Sequence, residues 1–376
     1  MTGASAEDAR FMAYALDLAR RAWGQTHPNP MVGAVLVCGG EVIAEGWHRA
    51  DGQPHAEIEA LAQLVRPAPK GTTMYVTLEP CSTAGRTGAC TDAIQRAGIE
   101  RVVIGAVDPN PAHAGRGIEV LRQAGIEVRS GVCAEDSEDL NLIFNHWIVG
   151  QTPLFAAKMA MTLDGKFAAA SGHSQWVTSA AARADVMRWR CYFPAIGVSA
   201  NTVLQDDPRL TSRLGDEEFC PQRIILDRQL KTVQAARQPK LFSDPFVDRT
   251  ILVCLESADP AAREKARALG LELWVLPQDG SHFDWAVLRE RCREAGLYGV
   301  YFETGPGLAT EVLEQARVDY CFIYQAAKFM ADAAAKGIGS SRQTETMREA
   351  LELDAVRHEV FNRDVLTRGF LKRCNN

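Results

Sequence analysis

No stretch of the 376-residue sequence approaches the ~20 consecutive apolar residues that a membrane-crossing helix needs. The opening residues, MTGASAEDARF, carry Glu7 and Asp8 and no apolar run, so no signal peptide is expected there. Basic runs are missing too. Lys and Arg number 41 against 47 Asp and Glu, for a net charge of −6. That argues against the basic face of a nucleic-acid platform, while a small phosphorylated substrate, which needs only a few placed cations, stays open. The 10 cysteines are scattered at irregular spacing over both halves, which is no disulfide framework. A cytoplasmic protein with reduced thiols is expected. The Gly-x-Gly-x-x-Gly fingerprint of dinucleotide binding is also absent.

What is present is ordinary globular composition, 47% hydrophobic and 23% charged, in a chain long enough for two cores. Residues 6–23 have a helical apolar stripe, Phe11, Ala15, Leu18, Ala19 and Ala22. Two short apolar runs, 31–37 and 41–46, joined through Gly39 and Gly40, signal a hairpin. A helix from near His55, strand 73–78, helix 91–97, strand 101–106, helix 117–124 and strand 126–130 complete an alternating α/β layer pattern. Residues 134–149 read as one helix, and VGQTP at 149–153 breaks the pattern. The boundary therefore falls between a domain at 1–149 and one at 150–376. The second is again α/β, with strand 154–161 and further apolar runs at 195–199, 223–227, 250–255, 299–303 and 318–324.

Chemistry concentrates in the first domain. Cys81 follows a strand end and Cys90 precedes a helix, where the helix dipole and unpaired N–H groups favour a thiolate. His55 stands at another helix start. One His and two Cys make three metal ligands, and catalytic zinc sites keep the fourth position open for water. Glu57, two residues after His55, is placed to carry protons between that water and a leaving amine. A structural zinc closed by a fourth ligand such as His48 is the bland alternative. His-x-Glu followed by Pro-Cys and a second Cys is the pattern of zinc nucleobase deaminases, whose cysteines stand two residues apart. Here residues 82–89 separate them.

That wider spacing, with HPNPMVGAVLV, GWHRADGQPHAEIEAL, TLEPCSTAGRTGACTDAI and DPNPAHAGRG, resembles the bifunctional riboflavin-biosynthesis deaminase–reductase family. The resemblance implies a cytidine-deaminase-like three-layer α/β/α domain followed by a dihydrofolate-reductase-like α/β domain. It implies zinc on His55, Cys81 and Cys90, Glu57 as proton shuttle, Asn29 and His48 against a pyrimidine, and Arg86 near a substrate phosphate. The implied reactions are deamination of a phosphorylated ribosylaminopyrimidine and NADPH-dependent reduction of its ribosyl to a ribityl chain. Thr83 stands where the family usually has histidine.

KMAMTLDGKFAAASGHSQWVTS and ANTVLQDDPRLTSR are similar to the reductase half. By that likeness Ala160, Trp176, Thr202 and Asp206 line the NADPH site, with Gly305, Pro306, Gly307, Leu308, Ala309 and Thr310 near its phosphates. Ser174, Arg190, Leu210, Arg213 and Glu303 match substrate positions, with Arg190 and Arg213 as bidentate phosphate holders. FETGPGLAT independently reads as strand, Gly-rich turn and helix start, which suits a phosphate. Thr304 replaces a family glycine, and a β-branched residue resists positive φ. Competing readings are a deaminase with a degenerate reductase domain, a zinc-stabilised binding protein, and a nucleoside or tRNA deaminase. A homo-oligomer, dimer or tetramer, is the expected assembly, without nucleic acid or membrane.

Overall fold

Helix α1 (Ala6–Arg20) begins where the Ser5 side chain accepts a hydrogen bond from the Asp8 amide at 3.0 Å. Its stripe of Phe11, Met12, Ala15, Leu18 and Ala19 is buried. The computed structural model describes residues 5–64, 67–83, 88–214, 217–280, 282–339 and 341–372, and the chain divides into two compact units, Met1–Gln151 and Thr152–Asn376.

In the first unit β1 (Gly33–Cys38) and β2 (Glu41–Trp47) pair antiparallel. Helix α2 (Ala56–Leu61) leads to β3 (Thr73–Leu78), α3 (Cys90–Ala97) and β4 (Arg101–Ala106). Then come α4 (Arg116–Gln123), β5 (Glu127–Ser130), α5 (Ala134–Leu140) and α6 (Leu142–Gly150). The sheet order is β2-β1-β3-β4-β5, and β3, β4 and β5 run parallel. Strand alternation divides the buried residues between two faces. Ala34, Leu36, Met74, Val76, Val102 and Ile104 pack with residues of α2, α3 and α4 in one core. Val35, Tyr75 and Val103 are buried on the other face, where Phe11 of α1 lies 5.2 Å from the Tyr75 ring. Three layers result.

Close approach of α2 to the sheet depends on Gly46, because a Cβ there would lie 2.5 Å from the Ala56 carbonyl oxygen. That contact seats the first turn of α2, and with it His55 and Glu57. The expected single helix over 134–149 is two. Asn141 leaves helical geometry (φ −112°, ψ 36°), and its amide binds both the N–H and the carbonyl of Met31, at 2.7 and 2.9 Å. A buried side chain serving an unpaired loop backbone outweighs helical continuity.

The second unit is built on nine strands. They are β6 (Leu154–Thr162), β7 (Ala195–Ser199), β8 (Gln222–Leu226), β9 (Thr250–Leu255), β10 (Glu272–Leu276), β11 (Gly299–Glu303), β12 (Tyr320–Ala326), β13 (Leu353–Phe361) and β14 (Asp364–Leu371). Their order is β10-β9-β8-β7-β11-β6-β12-β14-β13. Strands β10 through β12 in that order are parallel, and the closing hairpin is antiparallel. The parallel strands read as apolar runs because both faces are covered. The hairpin did not register as strand in the sequence, since β13 is largely solvent-facing and rich in polar residues. β11 lies between β7 and β6, so the order of strands reverses there. Crevices above strand carboxyl ends at such a reversal bind ligands in open α/β sheets.

Candidate functional site

The Nδ1 of His55 and the sulfurs of Cys81 and Cys90 all lie within 4.8 Å of one another. His55 Nδ1 is 3.3 Å from Cys90 Sγ and 3.7 Å from Cys81 Sγ. Each ligand sits at an element end. His55 is the N-cap of α2, Cys90 opens α3, and Cys81 follows β3. The Cys90 amide donates to Cys81 Sγ at 3.4 Å. A hydrogen bond from the Cys90 thiol draws the Cys81 thiol down to about 4, while the same bond and burial push the Cys90 thiol up. The two sulfurs thus compete for one proton, and a divalent cation removes that competition. The donor set fits zinc, whose thiolate and imidazole ligands it supplies.

Glu57 is buried on the first turn of α2. Burial pushes its carboxyl above the ordinary value, with His55 pulling the other way. A carboxyl so placed is suited to hold and release a proton. His48 is not part of the ligand cluster among the described residues. Its ring stands edge-on to His55 at 5.8 Å. Its Nδ1 lies 3.0 Å from the Pro54 carbonyl, and its buried Nε2 has no partner among the described residues. An orphaned buried nitrogen beside the ligands is what a substrate contact requires before substrate arrives. Asn29 donates to the Asp51 carboxylate at 2.9 Å. Arg86 lies outside the described residues.

The second unit holds a cavity of about 1150 Å³. Ala160, Ser174, Trp176, Arg190, Thr202, Asp206, Leu210, Arg213 and Glu303 line it, as do Gly305, Pro306, Gly307, Leu308 and Thr310. Ala309 does not. It points into the core, fully buried among Phe302, Leu308 and Val312. Gly305 is the N-cap of helix Pro306–Glu314, so that helix start faces the cavity. Asp206, raised by burial, makes no hydrogen bond among the described residues and is open to accept from hydroxyls. Leu210 is held at φ 58°, a left-handed conformation costly for a branched side chain. Its neighbour's carbonyl, Arg209 O, accepts from the fully buried Arg223 at 3.2 Å.

Two expectations change at this cavity. Arg190 is not a free phosphate fork. Its Nε and Nη2 donate to the two Glu303 oxygens at 2.6 and 2.9 Å, and Nη1 donates to the Thr211 carbonyl at 2.7 Å. Burial acts to raise the Glu303 carboxyl, and Arg190 overrides it, holding the carboxyl below its usual value. The exposed Arg213 guanidinium donates to Thr211 Oγ1 at 2.9 Å, its one side-chain bond among the described residues, so it keeps donors for an anion. Thr304, for its part, is not at positive φ. Its hydroxyl and amide both donate to the Lys158 carbonyl, at 2.9 and 3.0 Å, so the β-branch is accommodated.

Lys158 and Arg183 also line the cavity and were not singled out from the sequence. Burial lowers the Lys158 ammonium, opposed by Glu303; a lysine inside the apolar run LFAAKMAMT was the available signal. The Arg183 guanidinium stacks 4.4 Å from the Trp176 ring centre. Lys328 donates to the Trp176 and Val177 carbonyls at 2.8 Å each, fixing that ring from the backbone side.

Comparison with known proteins is consistent across the chain. The family model for the RibD C-terminal domain matches residues 153–367, and that for the cytidine and deoxycytidylate deaminase zinc-binding region matches 5–106. The riboflavin biosynthesis protein RibD of Aquifex aeolicus is 38% identical over 366 residues, 97% of this chain and 98% of its own length. That of Escherichia coli is 38% identical over 340 residues, 87% and 90% of the two chains. Among solved structures, Acinetobacter baumannii RibD aligns at TM-score 0.75 and 32% identity over 98% of this chain and 99% of that one. A diaminohydroxyphosphoribosylaminopyrimidine deaminase/5-amino-6-(5-phosphoribosylamino)uracil reductase from Thermotoga maritima aligns at 0.76 and 31%, over 97% and 99%.

Proposed function

We infer the residue roles below from one premise: the chain belongs to the RibD family of bifunctional riboflavin-biosynthesis deaminases and reductases. It is a deaminase and a reductase, with zinc and NADPH as cofactors. The deaminase-only alternative is not favoured, because the family match runs through the second unit. Carried over from the Thermotoga maritima relative, the substrate of the first step is 2,5-diamino-6-ribosylamino-pyrimidinone 5′-phosphate.

Zinc, when held by His55, Cys81 and Cys90, supplies a water acidic enough to attack at neutral pH. Glu57 takes the proton of that water as its oxygen adds to the amine-bearing ring carbon. The same carboxyl then delivers the proton to the amine, the carbon–nitrogen bond breaks and ammonia leaves. His48 Nε2 and Asn29 orient the pyrimidine, and Arg86 meets the phosphate. The observation that carries this step is the convergence of three ligand atoms beside a buried carboxyl raised above its usual value.

In the second step the cavity would hold NADPH, which would supply a hydride for the anomeric carbon. The ring carbon–oxygen bond breaks, and the ring oxygen takes a proton. Ala160, Trp176, Thr202 and Asp206 would hold the cofactor, with residues 305–308 and Thr310 available to its phosphates. Ala309, behind the cavity wall, supports that turn from the core. Ser174, Leu210 and Glu303 position the ribosyl chain, Arg213 holds its phosphate, and Arg190 fixes Glu303.

The protein works as a cytoplasmic homo-oligomer, dimer or tetramer, without nucleic acid. Free thiols at the described cysteines suit a reducing compartment, and no described helix is long and apolar enough to cross a membrane. Light scattering reads the oligomeric state. Elemental analysis tests the metal assignment. Cys81→Ser loses the zinc, and Cys133→Ser, altered outside the cluster, keeps it; full zinc in a Cys81/Cys90 double variant contradicts the assignment.

A further inference from the structure

Glu79 lies two residues before the ligand Cys81 and is buried. Its own amide is fixed on Ala106 O at 3.0 Å. Its carboxylate accepts four backbone N–H groups. Oε2 takes those of Asp108 and Gly115, at 3.1 and 2.9 Å, and Oε1 those of Gly117 and Ile118, at 2.8 and 3.3 Å. Helix α4 has no side-chain cap of its own. Glu79 supplies that function from just past the end of β3, satisfying amides of the first turn that would otherwise be orphaned.

This arrangement joins two parts of the deaminase site. On one side, Pro80 with its fixed φ leaves little slack between Glu79 and Cys81, and the Cys81 carbonyl in turn receives the Thr91 amide of α3 at 3.1 Å. On the other side, the loop 107–115 is pinned at both ends by the same carboxylate. That loop carries Asp108, a half-buried carboxyl close enough to Cys81 to sense its charge. The fit is tight. A Cβ on Gly117 would lie 2.1 Å from the Pro80 carbonyl oxygen and 3.2 Å from Glu79 Oε1.

We propose that Glu79 is a positioning residue for deamination, a buried anchor that sets the Cys81 turn and the Asp108 loop relative to each other. The proposal rests on the deaminase reading of the metal cluster. Partners one shell outside a metal typically change affinity or activity by about 10–100-fold when altered, and a fall of that order in deaminase kcat/KM is expected for Glu79→Gln. An amide there would point N–H groups at N–H groups on one oxygen position. The fall is expected in kcat as well as KM, because the Cys81 turn and the Asp108 loop both shift while Glu57 keeps its place on α2.

Two controls keep the outcome decisive. Reduction of supplied deaminated intermediate by the same protein reports the fold of the rest of the chain and should not change. Gly117→Ala leaves the carboxylate intact but pushes on the same anchor, so it should reproduce the deaminase loss. The cobalt-substituted protein supplies the readout that a merely structural role would not move. Its thiolate charge-transfer and ligand-field bands should shift in Glu79→Gln at unchanged metal stoichiometry. The proposal fails if both variants deaminate at the unaltered rate with unshifted bands. It also fails if reduction falls in parallel with deamination in both. If instead Glu57→Gln deaminates normally, the deaminase reading itself is wrong, an outcome distinguishable from either.

Discussion

The metal cluster and the large cavity solve the problem of placing charge in opposite ways. In the first unit the reacting groups are few, sit at the ends of α2, β3 and α3, and leave polar atoms open, as His48 Nε2 shows. In the second unit much of the charge is already spent within the protein. Arg190 is locked to Glu303, Arg183 stacks on Trp176, and Lys328 holds backbone carbonyls. A site that works through a bound metal needs a short list of ligands. One that works through a long cofactor and a phosphosugar needs a shaped wall, and Arg190 and Arg183 are spent on holding it.

Four substitutions sharpen that contrast. The largest effect is expected for Glu57→Gln, since losing a positioned general acid–base group costs about 10²–10⁴ in rate. Deamination should fall by that much with zinc retained and reduction intact, measured as ammonia release against NADPH oxidation. Next is Arg190→Met, which removes the bidentate partner of the largely buried Glu303. Breaking such a pair costs about 3–5 kcal/mol, so denaturant unfolding should register destabilisation of the second unit together with loss of reduction. A smaller change is expected for Arg213→Ala, which removes one exposed cation. Losing a hydrogen bond to a charged group costs about 1.5–3 kcal/mol, and this should appear as a rise in reductase KM for the phosphorylated substrate with NADPH affinity unchanged. If the two arginine variants behave alike, the distinction between wall and contact collapses.

The smallest effect is expected at Thr304→Gly. Because φ there is not positive and the hydroxyl already bonds Lys158 O, glycine relieves nothing. NADPH titration by fluorescence should show no gain in affinity; a clear gain would mean that the β-branch hinders the cofactor after all.

How much of this was legible in the sequence follows the same division. His55, Glu57, Cys81 and Cys90 could be read because their roles depend on local spacing and on helix starts, which a linear sequence displays. The alternation of strands and helices was legible for the same reason. What escaped depends on distant partners. Arg190 meets Glu303 across 113 positions, so its sequence context gave no hint that its donors are occupied. Asn141 breaks a helix through a backbone 110 positions away. Glu79 stood in plain view inside EPC, yet the amides it gathers lie beyond the next strand. The β13–β14 hairpin lacked signal because a strand with a solvent-facing side does not need apolar residues throughout.

The central claim is that one chain carries two separable chemistries, each on its own side chains. The most direct test supplies the deaminated intermediate to zinc-replete Glu57→Gln protein and follows NADPH binding by fluorescence and its oxidation in a single turnover. The account predicts reduction at the rate of the unaltered protein, while the same sample releases almost no ammonia from the diamino substrate. Loss of NADPH oxidation in this variant while the unaltered protein reduces, or failure of both to bind or oxidise NADPH, would contradict it.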